Sequence, residues 1–310
     1  MSVTGLGIPY MGSKRKLAPK ILTHIVKENP KAKYFYDLFG GGASISAMAL
    51  QVKQFKKVHY NEYNPAIVNL LKHLIEHGVT EEMYKWMSRE EFEKNKGRTD
   101  WYGGLLKTVW SFGNNQKGYL FGKDLEDSKR MLHYIVVDND LDNIKKFKKM
   151  FDFDFDSEVI HKSFINKGIE ERRTIIARII KNKNNRLDIQ QLERLQQLQQ
   201  LTQLEQLSRL EQLSISNLSY EQVEINTPID ETILYLDPPY KDTAGYNKAI
   251  NFNDLKKFIK DSPYKVYLSE YNNTYDMKLV KQYKHRGLLS GSANNEVVAT
   301  LFCNKEDCNG

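Results

Sequence analysis

Two strand–turn–helix units follow one another near the start of the chain, and they constrain the fold more than any bulk property. "YFYDLFGGGASISAMAL" (34–50) is a short aromatic and apolar run, a triple glycine, and a helix of small residues. "KVHYNEYNPAIVNLLKHLIEH" (57–77) repeats the plan: a strand ending near Tyr60, an acidic residue, then a helix opened by Asn64 as N-cap with Pro65 at its first position. Units of this kind in succession predict a parallel sheet with right-handed crossovers. Ahead of them, "KRKLAPKILTHIVKE" (14–28) spaces its apolar residues as an amphipathic helix does.

From about residue 75 the pattern breaks. "TDWYGGLLKTVWSFGNNQKGYLFGK" (99–123) is rich in aromatics, glycine and amides, and charged helical segments follow. "MFDFDFD" (150–156) alternates like a short strand but reads equally as an acidic loop. Leucine then stands at every third position from Leu192 to Leu213. A period of three falls about 60° short of each α-helical turn, so these leucines are expected to spiral round a helix instead of marking one face. The segment reads as a helical low-complexity insert, with a partner-binding helix as the functional alternative. Strand candidates resume after it, in "ISNLSYEQV", "TILYLDPPY", "PYKVYLSEYNN" and "EVVATLFCNK". Residues 1–75 and 214–310 therefore read as one discontinuous α/β domain, 76–186 as an inserted, mainly helical module, and 187–213 as the leucine-rich insert.

A formal charge of +7 suits a polyanionic partner, and "IKKFKKM" (144–150) and "EERRTIIARIIKNKNNR" (170–186) concentrate it in the inserted module. Those runs fit a phosphate-facing surface or an ordinary solvated face. No apolar run reaches the ~18 residues of a membrane span, and the start lacks the apolar stretch of a secretory signal. Cys303 and Cys308 form a lone C-x4-C, too little for a zinc site or a disulfide framework. The expected compartment is the reducing cytoplasm. His24, His73 and His133 stand singly and read as core or solvated residues, not metal ligands.

Two stretches carry the chemistry. In "DLFGGGAS", Asp37 ends the first strand, where open parallel sheets bind ligands, and Gly40, Gly41 and Gly42 permit close backbone approach. Glu62 follows about twenty residues later, where an acid reaches ribose hydroxyls. The fingerprint is not that of a dinucleotide pyrophosphate, and Asp37 would repel phosphate but welcome an ammonium. A cationic adenosine such as S-adenosylmethionine fits better. In "DPPY" (237–240), an acid and two prolines close a buried strand. The Asp237 carboxylate and the Pro238 carbonyl form an acceptor pair for the hydrogens of an exocyclic amine. Pro238 and Pro239 stiffen the corner, and Tyr240 is placed to stack on a base that has left its duplex. "SEYNN" (269–273) lines that base pocket or simply ends a strand, and "KDTAGYN" (241–247) reads as a loop able to close over substrate.

These motifs, in this order, resemble the Dam-type, D12-like (α-class) adenine-specific DNA methyltransferases. "YMGSKRKL" (10–17) resembles the family's N-terminal cofactor motif, "DLFGGGAS" its S-adenosylmethionine motif, "NEYNPAIVNLL" its acidic motif and "DPPY" its catalytic motif. "WSFGNNQKGYLFG" (110–122) resembles the Asn/Gly-rich segment ahead of target recognition. The resemblance implies a Rossmann-like sheet with an inserted DNA-recognition module. It also implies methyl transfer to N6 of adenine in double-stranded DNA, directly and without a metal. Tyr10, Lys14, Asp37, Phe39, Gly40, Gly41, Gly42, Ala43, Ser44, Glu62, Tyr63 and Asp237 would hold the cofactor, with Lys14 on its carboxylate and Glu62 on its ribose. Asp237, Pro238, Pro239 and Tyr240 would act on the flipped adenine. It leaves room for a cognate restriction endonuclease as partner. One departure stands out: Ser219 occupies a position where the family often carries an acid that contacts the cofactor's adenine. The rivals are an RNA base methyltransferase and a DNA-binding relative without catalysis.

Overall fold

The computed structural model describes residues 6–182, 192, 195–239, 250–270, 275–286, 296–305 and 308. The chain opens with helix α1 (Ala18–Glu28), strand β1 (Tyr34–Asp37), α2 (Ser44–Ala49), β2 (Lys57–Asn61) and α3 (Pro65–His77). Between α3 and the next strand come α4 (Arg89–Asn95), α5 (Trp101–Val109), α6 (Glu126–Asp138), α7 (Leu141–Met150), α8 (Ser157–Phe164), α9 (Ile169–Asn182) and α10 (Gln196–Leu204). Then come β3 (Ser214–Ser216), β4 (Thr232–Leu236), α11 (Phe252–Asp261), β5 (Lys265–Glu270), β6 (Lys278–Arg286) and β7 (Glu296–Cys303).

The seven strands form one sheet in the order β3-β2-β1-β4-β5-β7-β6. The first five run parallel, and β7 is antiparallel to both its neighbours. From β1 the chain winds outward to β2 and β3, then returns to place β4 on the other side of β1. That reversal is the topological switch point at which open α/β sheets bind ligands. All five residues of β4 are buried, as expected of a strand covered on both faces. The result is the Rossmann-like α/β architecture that the strand–turn–helix units predict. β6 escapes the sequence reading because, among the described residues, it is an edge strand paired to β7 alone, with Lys278 and Lys281 exposed. Only Val280 and Tyr283 of its described side chains turn inward, and a register shift falls between Leu279 and Lys281.

Local signals explain the helices that frame this edge. The Asn64 side chain accepts a hydrogen bond from Ala66 N at 3.2 Å, so α3 starts where its N-cap and proline predict. Helix α5 lies close against that start, because a Cβ on Gly104 would come within 2.2 Å of the Ala66 carbonyl oxygen. The glycine therefore sets how near the inserted module approaches the sheet domain. The alternating "MFDFDFD" is a loop, not a strand; Phe153 stacks on Phe147 and Asp156 caps α8. Of the basic run in α9, Arg172 is structural: it donates to the carbonyls of Val136, Val137 and Phe164. The lone histidine His133 is buried between Trp86 and Trp110 with a bond to Tyr84 O. Cys303 and Cys308, read from the sequence as too little for a disulfide framework, are paired as a disulfide.

The leucine segment corrects the sequence reading most. Leu192, Leu195, Leu198, Leu201, Leu204, Leu207, Leu210 and Leu213 are all buried, and none is left facing solvent for a partner. The segment is α-helical only over α10 and continues as a 3₁₀-helix from Glu205 to Leu210. A 3₁₀-helix has three residues per turn, so a period of three there marks a single face. Over the short α10 the drift stays within a broad face, and even Gln197 and Gln200 are buried. This stretch packs on α3, α5 and α9. One apolar cluster accordingly runs from Phe35 and Val58 of the sheet through Trp110 and Leu132 to these leucines. The insert is separate in chain order but not in its core. Leu201→Ala should lower unfolding stability by about 2–5 kcal/mol, read as a shifted denaturant midpoint; a loss near zero would mean that the segment does not pack.

Candidate active site

The carboxyl ends of β1 and β4 lie side by side, with Asp37 opposite Tyr235, so Asp237 emerges beside Asp37 at the switch point. The loop after β1 is pinned tightly. Gly40 N donates to Asn61 O at 2.7 Å, and a Cβ on Gly40 would lie 2.2 Å from the Tyr60 ring. Tyr60 Oη donates to Gly41 O at 2.7 Å, and Gly41 has φ +47°. The N-terminal segment crosses over this loop: Ile8 N donates to Gly42 O at 2.7 Å, and the Tyr10 ring covers Gly41. Ala43, itself at φ +61°, leads into α2, where Ser44 is buried within reach of Ser13.

Glu62 closes the loop from the other side. One of its oxygens accepts from Gly41 N at 2.9 Å and the other from Asn64 N at 2.8 Å. Burial raises its carboxyl, and these backbone bonds oppose that rise. Asp37 is buried; its Oδ2 accepts from Ser46 Oγ at 2.7 Å, while Oδ1 has no partner among the described residues. Burial chiefly, with the charges of Asp237 and Glu62 adding to it, pushes the Asp37 carboxyl up to about 7. Lys14 meets Asp237, with Nζ 2.7 and 2.8 Å from its two carboxylate oxygens.

A cavity of about 740 Å³ opens over this edge, a size typical of small-molecule sites. Tyr10, Lys14, Asp37 and Phe39 line it, as do Gly40, Gly41, Gly42 and Ser44. Glu62, the exposed Tyr63, Asp237, Pro238 and Pro239 complete the predicted set, while Ala43 lies behind the wall. Tyr240 and the 241–247 loop lie outside the described residues, as do Tyr271, Asn272 and Asn273. Phe39 packs its ring on Tyr220 at 5.1 Å between centroids.

Several lining residues escaped the sequence reading. Gly97, Thr99, Lys107 and Gln116 come from the inserted module, and Gln116 accepts from Asn64 Nδ2 at 3.0 Å. No local pattern could announce them, since they reach the cavity only through the packing of α5 on α3. Asn61 had a signal in its place before Glu62. Buried, it donates to Leu38 O and Leu218 O and accepts from Ser216 Oγ and Leu218 N, tying β1, β2 and the chain after β3 together. Ser219 is half-buried and donates to Glu221 at 3.3 Å, and both line the cavity. An acid is therefore present two residues beyond the position where the family pattern expects one. On the segment that carries Gln116, Phe112 is 64% exposed, and Gly113, Asn114 and Gln116 all have positive φ.

A strand-edge carboxylate with one oxygen unpartnered among the described residues, a glycine loop a side chain would fill, and a second carboxylate in a proline corner thus face one cavity at the switch point. The family model for the D12 class N6 adenine-specific DNA methyltransferase matches residues 10–304, and the chain belongs to that family. No curated protein matches it. Methyltransferases of this family generally use S-adenosylmethionine, and the enzyme's substrate is DNA. Among the described residues no helix is long and apolar enough to cross a membrane.

Proposed function

We propose that this DNA adenine methyltransferase takes its methyl group from S-adenosylmethionine, bound over Asp37, and delivers it to N6 of an adenine turned out of double-stranded DNA toward Asp237. The observation that carries this reading is the pairing, in one cavity, of a buried Asp37 oxygen without a partner among the described residues and the Asp237–Pro238–Pro239 corner on the next strand. When bound, the donor supplies an electrophilic methyl on a sulfonium that leaves as a neutral thioether. Asp37 Oδ1 accepts from its amino group, and Gly40, Gly41 and Gly42 let its body lie on the backbone. The Glu62 carboxylate, held by Gly41 N and Asn64 N, keeps lone pairs for ribose hydroxyls.

The adenine amine is a poor nucleophile because its lone pair is shared with the ring. Asp237 and the Pro238 carbonyl draw its two hydrogens, which favours the tetrahedral, reactive nitrogen, and Asp237 receives the proton that must leave the methylated product. The prolines hold both acceptors in place beforehand. Phe112, an exposed ring on the segment that brings Gln116 to the cavity, would stand against the duplex where the base has left. Tyr240 keeps its proposed role as the stacking partner. The family assignment favours DNA over RNA as substrate.

The test is incubation with labelled S-adenosylmethionine and unmethylated DNA, followed by mass spectrometry of the nucleosides. N6-methyladenine is expected; label on any other nucleoside, or none, rejects the reading. A pH prediction goes with it. A cationic amine pairs with the ionised form of Asp37, whose carboxyl titrates at about 7, so binding expels a proton and tightens as pH rises through that value. S-adenosylhomocysteine, which keeps the amino group, should bind on the order of 10-fold tighter at about pH 8 than at about pH 5.5. Equal affinities would remove Asp37 from the contact. For folding itself the sign reverses: stability present below the ordinary carboxylate range is lost as pH climbs toward about 7.

A further inference from the structure

Lys107 reaches the cavity from α5, and it is 8% exposed. Its Nζ donates to Arg98 O at 3.0 Å. An ammonium carries three hydrogens, so the others have no acceptor among the described residues. The acid whose charge reaches it is Asp100, which is bonded to the Arg98 guanidinium and caps α5 through Gly103 N. Burial holds the Lys107 ammonium below the usual lysine range, and a buried cation lacking an anion is costly. Gln116 stands beside it with hydrogens to give. The fully buried Ser111 hydroxyl donates to Lys107 O at 2.5 Å and accepts from Gln116 N at 3.2 Å, tying the two backbones together. Asn64 Oδ1 accepts from Ala66 N as the cap of α3, which leaves its Nδ2 to donate to Gln116 Oε1 at 3.0 Å. That bond orients the Gln116 amide, and its NH₂ end is the one left for a ligand.

We propose, resting on the function above, that Lys107, with Gln116 beside it, forms an anion site that holds a phosphate of the target strand next to the extruded adenine. Acids dominate the rest of the cavity: Asp37, Glu62, Glu221 and Asp237 all line it, and Lys14 is bonded to Asp237. A nucleotide turned into that space brings its phosphate along, which those carboxylates repel and a buried ammonium attracts. The position suits a group arriving from outside. Arg98, the acceptor of Lys107, lies between Gly97 and Thr99, which are both exposed and line the cavity. Gln116 shares its segment with the exposed Phe112, the ring assigned to the duplex. The donor's carboxylate is the rival anion, but it shares a carbon with the amino group assigned to Asp37. The charge that reaches Lys107 is that of Asp100, not that of Asp37, which favours the phosphate. A phosphate held there fixes the register of the strand, so that the base it carries meets Asp237 and not the glycine loop.

The experiment compares wild type with Lys107→Met and Lys107→Gln. Calorimetry measures S-adenosylhomocysteine binding, and kcat/KM for PCR-amplified mixed-sequence DNA is followed from low to high salt. Each phosphate neutralised by a cation adds about 0.9 to the steepness of log affinity against log salt. Lys107→Met should therefore show a slope shallower by about one, with kcat/KM lower by about 10-fold or more at low salt. S-adenosylhomocysteine should still bind it within about 3-fold of wild type. Lys107→Gln keeps a donor for Arg98 O without the charge, so it should show the same shallower slope, and it makes the comparison should Lys107→Met fail to fold. A slope parallel to wild type in the folded variants would leave Lys107 as a prop for the Arg98 carbonyl and overturn the proposal. A loss of about 10-fold or more in S-adenosylhomocysteine affinity would assign the ammonium to the donor carboxylate and overturn it equally. A wild type that forms no N6-methyladenine in this DNA would instead sink the function on which the proposal stands.

Discussion

Asp237→Ala should reduce methyl transfer by about 10³-fold or more while S-adenosylhomocysteine still binds within a few-fold of wild type. The expected split follows from where Asp237 stands. It shares the cavity with the donor loop but makes none of that loop's contacts, which belong to Asp37, Glu62 and the glycines. Its carboxylate acts on the amine, and an acceptor is needed most as the nitrogen becomes tetrahedral, so its loss falls on the chemical step. A second consequence comes from Lys14. Removing the carboxylate breaks the ion pair of the 7%-exposed Lys14, at a cost of roughly 3–5 kcal/mol in stability. Melting curves must accompany the kinetics for that reason. Asp237→Asn is the complementary variant: it keeps the volume and one acceptor oxygen but turns an NH₂ group toward either the amine or Lys14, so transfer should still fall steeply. Transfer by Asp237→Ala within about tenfold of wild type would place the acceptor elsewhere.

Gly40→Ala should abolish donor binding, weakening S-adenosylhomocysteine by about 100-fold or more, and should destabilise the fold by roughly 1–3 kcal/mol. The added Cβ would sit 2.2 and 2.3 Å from two atoms of the Tyr60 ring. That ring is fully buried and its hydroxyl donates to Gly41 O. It has no free space to turn into, so the loop must move instead, taking with it Gly40 N, which donates to Asn61 O, and Gly41 N, which donates to Glu62. Gly41→Ala provides the contrast. There φ is +47°, and the nearest atoms belong to the Tyr10 ring at 3.2 Å. Alanine in the left-handed region costs about 1–2 kcal/mol, and the half-buried Tyr10 can shift. Affinity for S-adenosylhomocysteine should therefore fall in the order wild type, Gly41→Ala, Gly40→Ala. Equal effects at the two glycines would mean that backbone conformation, not the Tyr60 contact, governs the loop.

Most of the site was legible because its parts sit at the ends of strongly patterned local elements. A strand followed by glycines, or by Asn-Glu-x-Asn-Pro, places its polar residue at the carboxyl edge of a parallel sheet whatever lies elsewhere in the chain. Asp37, Glu62 and Asp237 were found on that ground. Gln116 and Lys107 were not, because their route to the cavity is helix packing across more than forty residues of chain. The leucine segment departs from its sequence reading for a related reason: a period of three does not match α-helical geometry, but the run continues past α10 as a 3₁₀-helix over Glu205–Leu210. β6 was missed because a lysine-rich edge strand carries little apolar alternation.

The sequence by itself determined the parallel sheet, the capped start of α3, the glycine turn and the acidic residues at the strand ends. Each depends on dihedral preferences and hydrogen bonds within a few residues, which local composition dictates. The tertiary structure alone decided which groups meet at those ends. It set Lys14 on Asp237, left one oxygen of Asp37 without a partner among the described residues, and turned the leucines into the core. Those outcomes depend on low-dielectric contacts between distant segments, where burial makes every unmatched charge costly and the partner that can reach it wins.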